Sequence, residues 1–451
     1  MPDRRVLPKA TIGGKDEQDA TPAGAARMTD AAASSSSATP ADRDAVRRLM
    51  LFFGIVYVVE GLGQTGGLIA QPLTYFLKEF HGWTPVQVTA VLTLFNLPWV
   101  IKPLYGAFSD FVPLFGYRRK TYLILANLLA IGAFLWVARE TDPGALAFAL
   151  LLTAYAMAIS STLCGALLVE NGQKFGASGR FVNQQWLWFN IATMAAGVAG
   201  GQLVQRLSPA GALHAAALII AVAPIALIWG TWGLVDEKKT LINLPELKNT
   251  LRGLVAAFRN RSLWLVAFFL FLYYFSPGFG TPLFYHMTDE LKFSQAYIGL
   301  LGSISAGGWI LGGALYNRYL DHLTSKTLLN LSIAFGTLTT ASFLLLSSET
   351  SAAILNFCAG VSAMLATVST LRVAAEFAPQ RSEGFAFAAL TSIINLAQSA
   401  GENVGSFLYQ HAFDKNLTPL IIVSALATAV AFVLVPVLGL DRQAKRILSS
   451  E

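Results

Sequence analysis

Long apolar runs separated by short polar gaps follow one another from about residue 49 to residue 440. Each is too long and continuous for a strand of a transmembrane barrel. Each approaches the ~20 apolar residues that an α-helix needs to cross the hydrocarbon of a bilayer. Only helices and closed barrels satisfy their own backbone in lipid, so the pattern predicts helices. The expected spans are 49–77, 84–107, 121–138, 144–170, 181–205, 212–234, 262–288, 295–317, 325–347, 351–377, 383–411 and 417–440. The longest gap, 235–261, opens with Asp236-Glu237-Lys238-Lys239 and continues into an amphipathic stretch around Leu247 to Phe258. It is expected to link two six-helix bundles, 47–234 and 262–440, in an all-α membrane protein of about twelve transmembrane helices.

Composition agrees with lipid as the solvent. Of 451 residues, 54% are hydrophobic and 13% charged, against roughly 25% charged in a soluble domain. Residues 1–46 differ from the rest: they are rich in Ala, Ser, Thr, Pro and Gly, and are expected to form a disordered tail. That tail has no secretory apolar segment, and its seven acids (Asp3, Asp16, Glu17, Asp19, Asp30, Asp42, Asp44) argue against a plastid transit peptide. Basic residues set the orientation. With the tail inside, the inner loops hold twenty Lys and Arg, and the outer loops hold five: Lys78, Arg139, Arg206, Lys292 and Lys415. Both ends, including 441–451, are therefore expected in the cytoplasm. The protein is further expected to be a monomer in an inner (plasma) membrane of bacterial type.

The two halves repeat. Gln71-Pro72-Leu73-Thr74-Tyr75 stands opposite Thr281-Pro282-Leu283-Phe284-Tyr285 at an offset of 210. Leu104-Tyr105 with Asp110 stands opposite Leu315-Tyr316 with Asp321, and Gly197 and Gly201 stand opposite Gly401 and Gly405. The glycine pairs have the spacing that lets membrane helices approach closely, so they are read as packing positions. The first span is interrupted by Gly61, Gly63, Gly66, Gly67 and Pro72, the seventh by Ser276-Pro277-Gly278, Gly280 and Pro282. Paired broken helices at corresponding places mark the binding site of a transporter, although Gly and Pro are also common in ordinary membrane helices.

Two blocks carry a family likeness. The first is Trp99-Val100-Ile101-Lys102-Pro103-Leu104-Tyr105-Gly106, then Ser109-Asp110, then Pro113-Leu114-Phe115-Gly116-Tyr117-Arg118-Arg119-Lys120. The second is Ala378-Pro379, then Ser382-Glu383-Gly384-Phe385-Ala386-Phe387-Ala388, with Ser392 and Asn395. Together they resemble the folate-biopterin transporter family of the major facilitator superfamily. The resemblance implies the major facilitator fold and proton-coupled uptake of a small anionic or aromatic solute such as a folate or pterin. It also implies two acids late in the fourth helix, where this chain has Ser161 and Gly165 and keeps Glu170. Arg372 interrupts a stretch that is mostly apolar in the family.

Charges inside spans are expensive unless paired or wet, and so are candidates for function. Glu60, Arg372 and Glu402, with Gln64, Asn395 and Gln398, are expected to line one central cavity. Glu60 and Glu402 are candidate proton carriers; each can instead serve as the fixed partner of a buried cation. Arg372 can clamp a carboxylate through two parallel hydrogen bonds, or pair with Glu376 one turn away. Tyr273 and Tyr274, like Trp186 and Trp188, can stack on a flat ligand or simply fill space. Asp110, Arg118, Arg119, Glu170, Arg180, Glu376 and Arg381 sit at cytoplasmic helix ends, and the resemblance makes them a gate that latches the halves together. Basic residues would stay inside in any case, but Asp110 gains nothing from that rule.

Other chemistries find no support. Gly13-Gly14-Lys15 lacks the spacing of a phosphate-binding loop. His81, His214, His286, His322 and His411 are dispersed and show no zinc spacing. No cofactor, metal, nucleic-acid partner or enzymatic nucleophile is expected; the expected partners are a small-molecule substrate, protons and the bilayer. Two rivals remain: a permease for a cell-wall fragment or siderophore on the same fold, and a non-transporting membrane-complex assembly factor that would tolerate Glu60→Gln and Glu402→Gln.

Overall fold

The computed structural model describes residues 40–240, 261–377 and 383–438. The tail 1–39, the amphipathic part of the linker, Arg381 and the end 439–451 lie outside the described residues. The packing described is that of the compact unit Arg48–Glu451, which the first helix enters at Arg48. Its first part holds α1 (Pro40–Gly63), α2 (Ala70–Tyr75), α3 (Pro85–Val100), α4 (Lys102–Phe111), α5 (Lys120–Val137), α6 (Pro143–Phe175), α7 (Ser178–Arg206) and α8 (Pro209–Leu234). Its second part holds α9 (Arg261–Tyr274), α10 (Gly280–Asp289), α11 (Gln295–Leu315), α12 (Ser325–Ser342), α13 (Glu349–Phe377), α14 (Glu383–Phe407) and α15 (Leu417–Leu434).

Among the described residues, nine helical segments are long and apolar enough to cross a membrane. They coincide with the second to sixth, eighth to tenth and twelfth expected spans. The other three differ for a physical reason. The first is parted between α1 and α2 at 64–69, and the seventh between α9 and α10 at 275–279. The eleventh, α14, carries Asn395, Gln398, Glu402 and Asn403. The spans that look least like lipid-facing helices are those that turn polar groups inward.

Lipid-facing surface is plain on α8. Leu218, Val222, Ile225, Trp229 and Trp232 recur every three or four residues, and each is at least half exposed. That spacing puts them on one helix face, where contiguous exposed apolar surface signals a non-aqueous neighbour. Short connections are capped locally. The Asp142 carboxylate accepts from the backbone N–H of Ala145 at 2.9 Å, and the Ser294 hydroxyl accepts from that of Tyr297 at 3.2 Å. In the turn beyond α5, the Asp142 backbone N–H, the Trp136 indole and the Thr141 backbone N–H all donate to Glu140 and hold its carboxyl below the usual carboxylate range.

Proline makes a third break, between α3 and α4 at Ile101. Pro103 has no N–H to give the Trp99 carbonyl four residues earlier. That carbonyl instead accepts from Asn395 Nδ2 of α14 at 3.2 Å, and the Pro98 carbonyl accepts from the Tyr105 hydroxyl at 3.1 Å. The seventh-span break is satisfied in the same way from α15: Pro277 O accepts from Ser424 Oγ, and Ser276 Oγ donates to Ser424 O at 2.9 Å.

The two parts meet along α7 against α11 and α3 against α14. Glycine permits the first contact: a Cβ at Gly197 would lie 2.8 Å from Gly299 O, and one at Gly201 would lie 2.8 Å from Gln295 O. The matching pair behaves differently. A Cβ at Gly401 would lie 2.4 Å from Ser276 O, and one at Gly405 would lie 1.7 Å from Gly278 O. Both pairs are packing positions, as the sequence implied, but the second seats α14 on the broken seventh span of its own half. Hydrogen bonds across the halves cluster toward one end. Gln71 Nε2 donates to Gln295 O at 2.7 Å, Lys78 Nζ to Asp289 Oδ1 at 2.6 Å, Tyr285 Oη to Trp83 O at 2.5 Å, and Thr89 Oγ1 and Ser406 Oγ lie 2.8 Å apart. Among the described residues, the deepest of these links is Asn395 to Trp99.

At the opposite end the beginning of the linker folds back. Glu237 accepts from the backbone N–H groups of Arg118 at 2.8 Å, Arg119 at 3.1 Å and Lys120 at 2.8 Å, the unsatisfied donors at the start of α5. Lys120 Nζ donates to Trp232 O at 2.9 Å at the end of α8. Glu237→Ala should therefore destabilise by about 1–2 kcal/mol, the worth of a charged helix cap. The measurement is the unfolding midpoint in detergent; Glu237→Gln should lose less, because its amide oxygen still accepts.

Candidate functional site: a cavity between the halves

A cavity of about 610 Å³ lies where the two broken spans face each other. From the first half it is lined by Gln64 and Gln71 of the first span, Thr93, Asn96 and Trp99 of α3, and Gly197 and Gly200 of α7. From the second half it is lined by Gly280, Thr281 and Phe284 of α10, Gly299 and Gly302 of α11, and Asn395, Gln398 and Glu402 of α14. Its polar groups are amides and hydroxyls, and Glu402 is the charged group among the described lining residues.

The break in the seventh span positions Glu402. Its carboxylate accepts from the backbone N–H groups of Gly280 and Thr281, at the start of α10. The exposed donors and dipole of a helix N-terminus favour such an anion. Gly278 is required here, because a Cβ on it would lie 2.4 Å from the Glu402 carboxyl carbon. A carboxylate offers about four acceptor sites, so two backbone donors leave it capacity for more.

Behind the break is a second cavity of about 400 Å³. Tyr273 and Tyr274 line this one rather than the first, and Gly280, Gln398 and Glu402 line both. The Tyr273 hydroxyl lies 3.3 Å from Ser332 Oγ, and that of Tyr274 lies 2.9 Å from Thr370 Oγ1.

Glu60 stands one turn before Gln64, in a separate polar cluster. Ser161 Oγ of α6 donates to Glu60 Oε1 at 2.8 Å, and Lys102 Nζ donates to Ser161 Oγ at 3.3 Å. The other carboxyl oxygen, Oε2, is shielded from solvent and has no hydrogen-bond partner. Lys102 also lies over the Trp99 ring, 4.1 Å from its centroid, and Trp99 lines the central cavity. Lys102 thus joins the candidate residues through Ser161 and Trp99, although the pattern of intramembrane charges did not single it out. The signal was available: it lies between Pro98 and Pro103, where the helix breaks.

Arg372 is not among the lining residues of either cavity. Its guanidinium donates to Asp321 O at 3.1 Å and pairs with Glu376 at 3.6 Å, the neighbour one turn on. Trp186 rests on Trp309 at 5.5 Å, and Trp188 lies against Gly54. Of the proposed gate, Arg119 pairs with Asp110 at 3.2 Å and with Glu170 at 2.5 Å, all within the first half. Arg118 contributes its backbone N–H to Glu237, Ser325 donates to Glu376, and Arg180 is exposed at the start of α7.

Known proteins share both the sequence and the fold. A family model described as the BT1 family matches residues 62–451. A folate-biopterin transporter of Synechocystis sp. is 28% identical over 409 residues, 85% of this chain and 80% of the relative. Folate transporter 1 of Plasmodium falciparum is 23% identical over 263 residues, 57% of this chain and only 50% of the relative's length. Among solved structures, the nucleoside transporter NupG aligns with a TM-score of 0.64 at 16% identity, covering 86% of this chain and 98% of that one. A D-xylose-proton symporter aligns at 0.65 and 12% identity, covering 86% and 97%. At such identity these structures establish the fold alone, and it is the major facilitator fold expected from the sequence.

Proposed function

The chain belongs to the BT1 family, and from that premise we propose that it carries a flat, hydrogen-bonding solute of the pterin or folate kind, driven by a proton gradient. It is an integral membrane transporter and not an enzyme. The observation that carries the substrate reading is the central cavity, whose neutral amides surround one carboxylate fixed at a helix break. A pterin ring presents an N–H pair on one edge, which a carboxylate accepts through two parallel bonds. With a carboxylate as the charged lining group, recognition falls on the neutral ring rather than on an acidic tail. The size supports a single small solute over a cell-wall fragment or siderophore, since sites for drug-sized ligands span roughly 300–1,000 Å³.

Alternating access is supported by where the halves are tied. Among the described residues, their mutual hydrogen bonds run from the Trp83 end to the level of Asn395. With basic loops cytoplasmic, that arrangement corresponds to a state closed outside and open inside. Asp110, Arg119 and Glu170 are then latch residues in their unlatched state, paired within one half until the other closes on them. Glu60 is the proton carrier, because one of its oxygens is free of partners while the other is reached from Lys102 through Ser161. One chain completes the cavity, which supports a monomer as the working unit.

The test is uptake of labelled folate and biopterin into vesicles of defined lipid. Uptake should rise when the compartment outside is made acidic and collapse with a protonophore. Uptake indifferent to the gradient removes the coupling; uptake of neither compound removes the substrate.

A further inference from the structure

We infer that the 400 Å³ chamber behind the broken seventh span is a second arm of the binding site, taking an uncharged aromatic ring tethered to the group held in the central cavity. This inference rests on the pterin reading and deepens it. The chamber and the central cavity share three wall residues, Gly280, Gln398 and Glu402. At that junction the chain has no side chain to spare: a Cβ at Gly280 would lie 3.3 Å from Glu402 Oε1. A solute whose first ring is held by Glu402 thus sits at the boundary of both spaces, with the side chamber next to it.

The side chamber suits a ring. Its walls include the rings of Tyr274, Phe279 and Phe343, the last two 5.3 Å apart at 64°, with the hydroxyls of Thr340 and Ser362 between helices. Edge-to-face aromatic walls favour insertion of a further ring. Its tyrosines are tethered, Tyr274 to Thr370 at 2.9 Å, so they are held as walls rather than left to swing into the space. Apart from Glu402 at its mouth, none of its described lining residues is charged. An acid group beyond the ring has no counter-ion inside and would have to extend back toward water. The chemistry recognised is thus a fused nitrogen heterocycle in the centre, a neutral ring such as an aminobenzoyl group at the side, and a carboxylate outside both.

The test compares two solutes on the same vesicles: folate, which has the second ring, and biopterin, which has only a short hydroxylated chain. Ala363→Phe on α13 and Thr340→Phe on α12 each place a ring in the side chamber. Both variants should lower the folate-to-biopterin uptake ratio roughly tenfold or more, the loss of burial of one ring. Poor folding lowers both uptakes together and leaves the ratio unmoved, so an unchanged ratio in both variants overturns the inference. With the unaltered chain, p-aminobenzoylglutamate should compete against folate uptake and leave biopterin uptake nearly intact; equal competition against both also overturns it. If the unaltered chain takes up neither solute, the pterin reading itself falls and this inference with it. Folate uptake that persists with the chamber filled overturns the inference alone.

Discussion

Glu402→Gln reduces uptake of folate or biopterin by about tenfold to a hundredfold while the protein still folds. The size follows from what the carboxylate does. It accepts from the backbone N–H groups of Gly280 and Thr281 and still faces the cavity with unused acceptor capacity. Glutamine keeps the shape but offers one acceptor oxygen and one donor group. If its oxygen stays on the helix start, its NH₂ meets the N–H pair of the ligand, and two donors oppose each other. Loss of a charged hydrogen bond is worth about 1.5–3 kcal/mol, which is that range of fold-change at ~1.4 kcal/mol per decade. The measurement separates two roles. A ligand-binding carboxylate lowers affinity with a small change in the unfolding midpoint. A carboxylate that only caps α10 lowers the midpoint and leaves the affinity of the folded fraction intact, and that result would end its assignment to the substrate. Gly278→Ala gives an independent check: its Cβ needs the space of the Glu402 carboxyl group, so uptake should fall although no ligand-facing atom is removed.

Much of this site was legible because membrane sequences announce their exceptions. Broken first and seventh spans were readable from Pro72, Pro277, Pro282 and the glycines around them. The polar residues of α14 stood out against an apolar background, and three of them, Asn395, Gln398 and Glu402, share the cavity with Gln64. What stayed hidden was partnership. Periodicity says that Arg372 and Glu376 can meet, which they do, but not that α13 leaves Arg372 outside the cavity lining. It places Asp110 and Arg119 at helix ends without saying that they pair within one half. The Gly401 and Gly405 spacing gave close approach but not its object, which is the backbone of the seventh span. Lys102 was hidden by position, as one basic residue in a block valued for family likeness. Ser161, which stands where the family resemblance implies an acid, is the bridge between Lys102 and Glu60. A carboxylate there would compete with Glu60 for Lys102.

The Glu60 cluster supports the second large effect. Glu60→Gln and Lys102→Met each leave one charge without the counterpart that Ser161 bridges to it, so each single variant should lower the unfolding midpoint. The double variant leaves no charge to strand. Its unfolding midpoint should therefore lie above that of either single variant, a non-additivity that a double-mutant cycle reads directly. Transport should follow a different order. If Glu60 carries the proton, Glu60→Gln keeps exchange of solute across the membrane but loses accumulation against a gradient, and restoring stability with Lys102→Met does not bring accumulation back. Lys102→Met alone removes the cation that the Ser161 bridge links to Glu60, so accumulation should be lost there too. Accumulation by Glu60→Gln at the rate of the unaltered chain would remove Glu60 from the coupling step and leave the cluster as a structural tie between the first, second and fourth spans. Recovery of accumulation in the double variant would likewise remove it, since a purely structural pair is the one case in which stability and transport rise together.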